Sequence, residues 1–276
     1  MALTIANLEY QNDTVLLGKL IINQYTWFNS ISVVEGFKGK ARVTGAEFPD
    51  GLLRELDCDD VDTDSNIVGK DVDVIDYKMS IPVNQCDLHG TWLAHWARTY
   101  KDSENLYIET LLPYISEALG SEIKAKVFAQ ILAEAATDTD VEKVAVTPSG
   151  GTHASAVATL TSFVNGLSDE FLANSFSGGW WSSPLIHVSP RLYSDLTANV
   201  PNTSFFGGFF VEPNSVLTGD EIICTYDRNI LVAFDDTMDV NQFKLVKKPF
   251  ESKSYLIGTV AFGGSYLDSK KIVISS

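Results

Sequence analysis

Asp60, Asp62 and Asp64 stand two apart, and Asp71 is twelfth counted from Asp60. Carboxylates at the first, third, fifth and twelfth places imitate the oxygen cage of a helix–loop–helix calcium site. The imitation is incomplete: Ser65 holds the sixth place, where the sharp turn needs Gly, and Asp71 rather than Glu closes the loop. The flanks read as strands. A solvated acidic loop tip is the expectation for residues 56–66, since so many unpaired carboxylates cannot be buried; a calcium loop of Asp60, Asp62, Asp64 and Asp71 is the weaker alternative.

Other chemistry-bearing residues are scattered. His89, His95, His153 and His187 show neither HExxH nor HxH spacing, so no catalytic zinc is expected. Ser149-Gly150-Gly151-Thr152-His153 lacks both the GxSxG elbow and the phosphate-loop Lys, and reads as a turn before a helix. Cys58, Cys86 and Cys224 are odd in number, far apart and without a CxxC pair, which points to plain thiols in a reducing compartment. No catalytic residue and no cofactor site emerge, and the chain is not expected to be an enzyme. Trp180-Trp181, after two glycines, and the run Phe205 to Phe210 could stack on a ligand, but read as core-edge or subunit contacts.

A formal charge of −16 argues against binding nucleic acid through dense phosphate contacts. With 276 residues, 45% of them hydrophobic and 20% charged, the chain can bury a sizeable core. Apolar runs are too short for a membrane helix, and no secretory signal is expected at the N-terminus.

These residues sit on a recognisable order of elements. Residues 1–24 read as an extended arm. Residues 31–48 and 72–83 read as strands around the acidic tip, the second with a slip of phase at Val74-Ile75, and together suggest a long two-stranded excursion. A hairpin of this kind is marginal alone and needs a partner surface. Ile115, Leu119, Ile123, Val127, Ile131 and Ala135 recur every four residues, predicting an amphipathic helix over 113–136 with Pro113 in its first turn. A second helix is expected over 153–174, with Thr152 as N-cap. A strand over 184–188 and a short helix capped by Ser189-Pro190 follow, then strands over 209–212, 221–226 and 229–234, and a strand-rich end. The order is α+β.

That order resembles the tailed-phage major capsid protein with the Hong Kong 97-type fold. The excursion looks like the family's extended loop and 113–136 like its spine helix. Pro184 through Leu196 and Asp220 through Val232 look like axial-domain elements, and Ser254 through Gly263-Gly264 to Ile274 like closing peripheral strands. The stretch 77–96 is similar to versions from phages of Bacteroidota. The resemblance implies an N-terminal arm (1–24), an extended loop region (25–84), a peripheral domain (85–145 and 239–276) and an axial domain (146–238). It implies a structural protein that self-assembles through pentamers and hexamers into the icosahedral shell around the genome. Assembly would take place in the host cytoplasm, with scaffold, portal and decoration proteins as further partners.

The DNA would be enclosed without specific binding, the acidic charge either repelling phosphates or keeping free subunits soluble. Phe48, Leu52, Leu53, Val72, Val74, Trp180, Trp181, Phe205 and Phe206 are the expected subunit contacts. Many members begin with a helical, charged scaffolding region removed by a protease. No stretch here reads so, and a separate scaffold or a processed form is expected. Lys38, Lys40 and Lys70 lie near the loop, but no crosslinking partner is identifiable. An encapsulin-like compartment shell and an auxiliary virion protein are the alternatives.

Overall fold

Apolar residues four apart must share one face of a helix, and that face must be covered. The structure, a computed structural model, shows what covers it. It describes residues 15–16, 26–35, 40–47, 66–84, 103–176, 184–198, 205–235, 242–247 and 253–276. In chain order the elements are β1 (Val15–Leu16), a 3-10 turn (Thr26–Asn29), β2 (Ser32–Glu35), β3 (Lys40–Glu47), β4 (Asn66–Asp73), β5 (Ile75–Asn84), α1 (Ser103–Thr137), β6 (Glu142–Val144), α2 (His153–Asn165), α3 (Asp169–Phe176), β7 (Leu185–Val188), α4 (Pro190–Thr197), β8 (Phe205–Phe206), β9 (Phe209–Pro213), β10 (Ile222–Thr225), β11 (Ile230–Phe234), β12 (Gln242–Lys247), β13 (Lys253–Tyr266) and β14 (Ile272–Ser275).

Two sheets carry two cores. The first sheet runs β1-β12-β13-β11-β2, with β5 also paired to β13; the second runs β6-β14-β10-β7-β9-β8. Ile123, Val127, Phe128, Ile131 and Ala135 of α1 are buried against Ile230, Val232 and Phe234 of β11, Val260, Phe262 and Tyr266 of β13, and Phe28 and Ile31. The predicted stripe is therefore the helix's core face. The second core lies on the other side of the second sheet, where Leu160 and Phe163 of α2, Phe171 of α3 and Leu192 and Leu196 of α4 meet Ile186, Val188, Val211, Ile222, Cys224 and Val273.

Local signals hold at the helix starts. Thr152 caps α2 in a reciprocal box with Ser155, and Ser189 caps α4 with Pro190 in its first turn. Other expectations need correction. The long helix has 35 residues and begins at Ser103, so Pro113 lies inside it. Proline forfeits the bond to the carbonyl four residues back, at a cost of about 3 kcal/mol in a helix interior.

The helix expected over 153–174 is two helices. Gly166 ends α2 where the Val144 side chain occupies the space a Cβ would need. Ser168 then restarts the chain: its N–H and hydroxyl donate to the Glu142 carboxylate at 2.9 and 2.8 Å, and its oxygen accepts from Phe171 N–H.

The sheets also cut across the boundaries expected at 145/146 and 238/239. β11 belongs to the first sheet, and β6 and β14 to the second. The chain thus passes between sheets through α1 and again at 226–229 and 267–271, and these last two passages lie side by side because β10 pairs antiparallel with β14 and β11 with β13. Asn229, fully buried, ties them together. Its amide donates to the Asp268 carbonyl at 3.0 Å and accepts from Asp268 N–H at 2.9 Å, while its own carbonyl accepts from Leu267 N–H at 2.9 Å. Asn229→Ala leaves the Asp268 backbone groups without these partners and is expected to cost about 1–3 kcal/mol. Urea denaturation monitored by fluorescence checks this, and an unchanged midpoint would contradict it.

Candidate subunit-contact site

The excursion between the arm and α1 is anchored more closely than its sequence suggests. β2 joins the first sheet in parallel with β11, and β5 pairs with β13 over ten residues, from Lys253↔Asn84 to Phe262↔Ile75. Only β3 and β4 form a separate hairpin, in register from Lys40↔Asp73 to Glu47↔Asn66. The phase slip read at Val74-Ile75 is the break between β4 and β5.

At that break the chain crosses β13. Gly263 faces the hairpin root so closely that a Cβ would collide with the Asp73 carbonyl. Gly264 faces the other way, and a Cβ there would lie 2.7 Å from Val127 Cγ1 and 2.9 Å from Val127 Cα. Successive strand residues point to opposite faces, so the two glycines let the hairpin and α1 approach one strand from both sides.

Three polar side chains four residues apart, two on α1 and Asp138 just past its end, serve this strand. Gly264 N–H donates to Gln130 Oε1 at 2.7 Å, Ser265 Oγ donates to Glu134 Oε2 at 2.7 Å, and the Tyr266 hydroxyl donates to Asp138. Beyond Phe262 the strand has left β5 while staying paired with β11, and on the side that β5 has left the Gly264 N–H is taken by Gln130.

Lys70 of β4 completes the junction. Its ammonium lies 2.8 Å from Glu134 Oε1 and 3.3 Å from the centroid of the Tyr266 ring. The bond from Tyr266 holds the Asp138 carboxyl below its ordinary range against the opposing effect of burial, with the Asp140 N–H, Lys70 and Lys143 adding to the lowering. Burial first, and the bond to Asp138 second, push the Tyr266 phenol up. Nearby, Tyr77 stacks on Phe262 at 4.6 Å.

The expected contact residues fall into three groups. Phe48, Leu52, Leu53, Trp180 and Trp181 lie outside the described residues, as do Asp60, Asp62 and Asp64. Val72 is 2% exposed and packs with Leu231 and Ala233 on the face of the first sheet away from α1. It is therefore part of this chain's own core, a correction that follows from the pleat turning it inward where β4 crosses the sheet. Val74 is partly buried in the same cluster. Phe206 is partly buried against the second core, whereas Phe205 is 55% exposed.

Phe205 pairs in register with Phe210, itself 50% exposed, and their rings meet edge-on at 5.3 Å. Asp71 lies within β4 opposite Arg42, where a calcium loop would begin its exit helix, so the calcium pattern is not kept. Among the described residues no group of three or more His, Cys, Asp or Glu side chains is placed to hold a metal ion.

Spacing alone did not reveal Gln130, Glu134, Asp138 and Lys70 as a junction. Their four-residue interval on α1 was the available signal, but it reads equally well as a wet helix face.

No protein-family model and no curated protein matches the chain. Solved structures do. A chain of the satellite phage P4 procapsid, a structure that includes the size determination protein, aligns with a TM-score of 0.63 at 10% identity, covering 94% of this chain and 97% of that one. The virus-like particle from Pyrococcus furiosus aligns with a TM-score of 0.55 at 15% identity over 95% and 96%, and the capsid of the empty GTA particle with 0.53 at 12% over 91% and 89%. The chain has the phage capsid fold. The capsid fold was the expectation from the order of elements, and the likeness extends over nearly the whole chain.

Within it, Lys70→Met should loosen the hairpin without unfolding the cores. A double-mutant cycle with Glu134→Gln is expected to return a coupling of about 1 kcal/mol, the scale of a half-exposed pair reinforced by a ring. A coupling indistinguishable from zero in urea denaturation would show that the contact does not hold the hairpin.

Proposed function

We propose that this chain is the major capsid protein of a tailed phage, a structural and non-enzymatic subunit that self-assembles into the icosahedral head shell enclosing the genome. One observation carries the reading: the P4 procapsid chain and this one cover each other over 97% and 94% of their lengths, so almost the whole polypeptide is accounted for by a shell subunit's fold. Phage and GTA capsids recur among the similar structures, which favours a virion over an encapsulin-like cellular compartment. In this reading β3–β4 is the extended loop lying on a neighbouring copy, α1 the spine helix, and the block around the second sheet the axial domain. Copies of the chain are the main partners, in five- and six-fold rings. Scaffold, portal and decoration proteins are further partners, and subunits assemble in the host cytoplasm before residing in the virion.

Phe205 and Phe210 are proposed as a ring contact. A pair of half-exposed aromatic rings at the end of a sheet is the kind of apolar surface that association covers. The acidic surface suits a wall that must contain DNA without gripping it.

Sedimentation velocity on the full chain, co-expressed with its candidate scaffold, tests both statements. Wild type is expected to give shell-sized particles. Phe205→Asp/Phe210→Asp, exposed changes that cost the fold little, is expected to give folded subunits or open rings. Shells from the variant in wild-type yield would remove the contact, and wild type that stays monomeric would remove the capsid reading itself.

A further inference from the structure

At the seam between the two cores, His187 is a polar side chain that apolar packing leaves without partners. Its strand, β7, turns Ile186 and Val188 into the second core. The imidazole faces the other way, onto α1, fully buried, with its ring edge-on to Phe128 at 4.7 Å. Neither ring nitrogen has a hydrogen-bond partner. Beside the seam opens a cleft of about 360 Å³ whose walls include Trp27, Lys124, Leu185, Glu212 and Asp227. Leu185 is two residues from His187 on the same face of β7, and Glu212 is the residue in register with His187 on β9. A carboxylate therefore stands one strand away from a buried imidazole, with a second, Asp227, lining the same cleft.

We propose that this seam is a proton-operated hinge: on acidification His187 takes up a proton, leaves the Phe128 ring and turns to the carboxylates of Glu212 and Asp227, parting the second sheet from the long helix. An imidazolium is disfavoured where the neutral ring sits, because the ring is buried and neither nitrogen meets an acceptor. Burial first, and the charge of Lys124 second, hold the imidazole of the closed form down to about 3 from an ordinary 6.5. A group depressed in the closed form contributes fully above its free value and is lost as pH falls, so closure weakens from 6.5 toward 3, by at most about tenfold per pH unit.

The other groups at the seam set the direction of movement. Lys124, on α1, lines the same cleft and opposes a charged imidazole, whereas Glu212 and Asp227 attract it. The titration of Asp227 works in the opposite sense: burial first, then Glu212, push its carboxyl up, against the Ser30 hydroxyl and Lys124, so its own protonation favours the closed form as pH falls. His187 governs because it is wholly buried, whereas Asp227 lines an open cleft. The hinge does not depend on the capsid reading; its use, re-angling two bodies of one subunit during shell formation, does.

Hydrogen exchange followed by mass spectrometry on the full, unassembled chain from pH 7.5 to 4.5, corrected for intrinsic rates, tests it. Opening at residues 185–188 and 123–131 is expected to increase below 6.5, by up to about tenfold per pH unit, while residues 230–234 stay protected. His187→Phe, which keeps a ring against Phe128, should remove the rise, and Glu212→Gln should make it shallower. An equal rise in wild type and His187→Phe, or no rise in wild type, overturns the proposal. Should His187→Phe not fold, the imidazole signal of wild type decides by NMR. A ring that titrates near 6.5 while still against Phe128 refutes the hinge, and one that titrates only as the seam opens supports it.

Discussion

The approach of α1 and the hairpin root to opposite faces of β13 is the constraint on which the other contacts rest. With Val127 backbone within 2.9 Å of where a Cβ at 264 would sit, and the Asp73 carbonyl against Gly263, neither position has room for a side chain. Both layers are consequently set at backbone distance rather than side-chain distance, and the groups around them fall into reach: Gln130, Glu134 and Asp138 meet Gly264 to Tyr266, and Lys70 meets Glu134 and the Tyr266 ring. A bulkier residue at either position would separate layers that otherwise satisfy one another's polar groups, and a half-satisfied junction is worse than an apolar one.

The second dependency is topological. Because β10–β11 and β13–β14 each pass from one sheet to the other at the same place, the two bodies of the chain share, besides the connection through α1, a double crossing clamped by Asn229. That arrangement ties the bodies together at one place. A shell subunit has use for such a tie, since identical copies must adopt slightly different angles in rings of five and six. The seam faced by His187 and Phe128 lies between the same two bodies.

Much of this was legible in the residues, and what was not has a common cause. The buried stripe of α1 followed from Ile123, Val127, Ile131 and Ala135 recurring every four residues, and the caps Thr152 and Ser189 from side chains that act on backbone three residues away. The slip at Val74-Ile75 correctly marked a break between strands. Long-range effects were missed. The split of α2 from α3 depends on Val144 and Glu142, and the start of α1 was misplaced because Pro113, the local signal for a first turn, lies well inside the helix. Which sheet β11 and β14 join was not legible, because pairing partners are set by the whole chain. Val72 looked like material for a neighbouring copy because nothing in its own segment could cover it; Leu231 and Ala233, far along the chain, do. The excursion, expected to need a partner surface, finds part of one in its own chain: Phe28 and Ile31 pack with residues of α1, β11 and β13, and β5 pairs with β13.

The account's central claim is that this body, with its hairpin fixed by Lys70 at the junction of α1 and β13, is the repeating unit of a closed wall. A cryo-electron microscopy reconstruction of the particles formed by the full chain tests this most directly. The account predicts icosahedral shells in which every subunit shows both sheets, the hairpin laid over an adjacent copy, and Lys70 density continuous with Glu134. Purified protein that forms no closed particles, or shells whose hairpins fold back onto their own subunit and touch no neighbour, would contradict it.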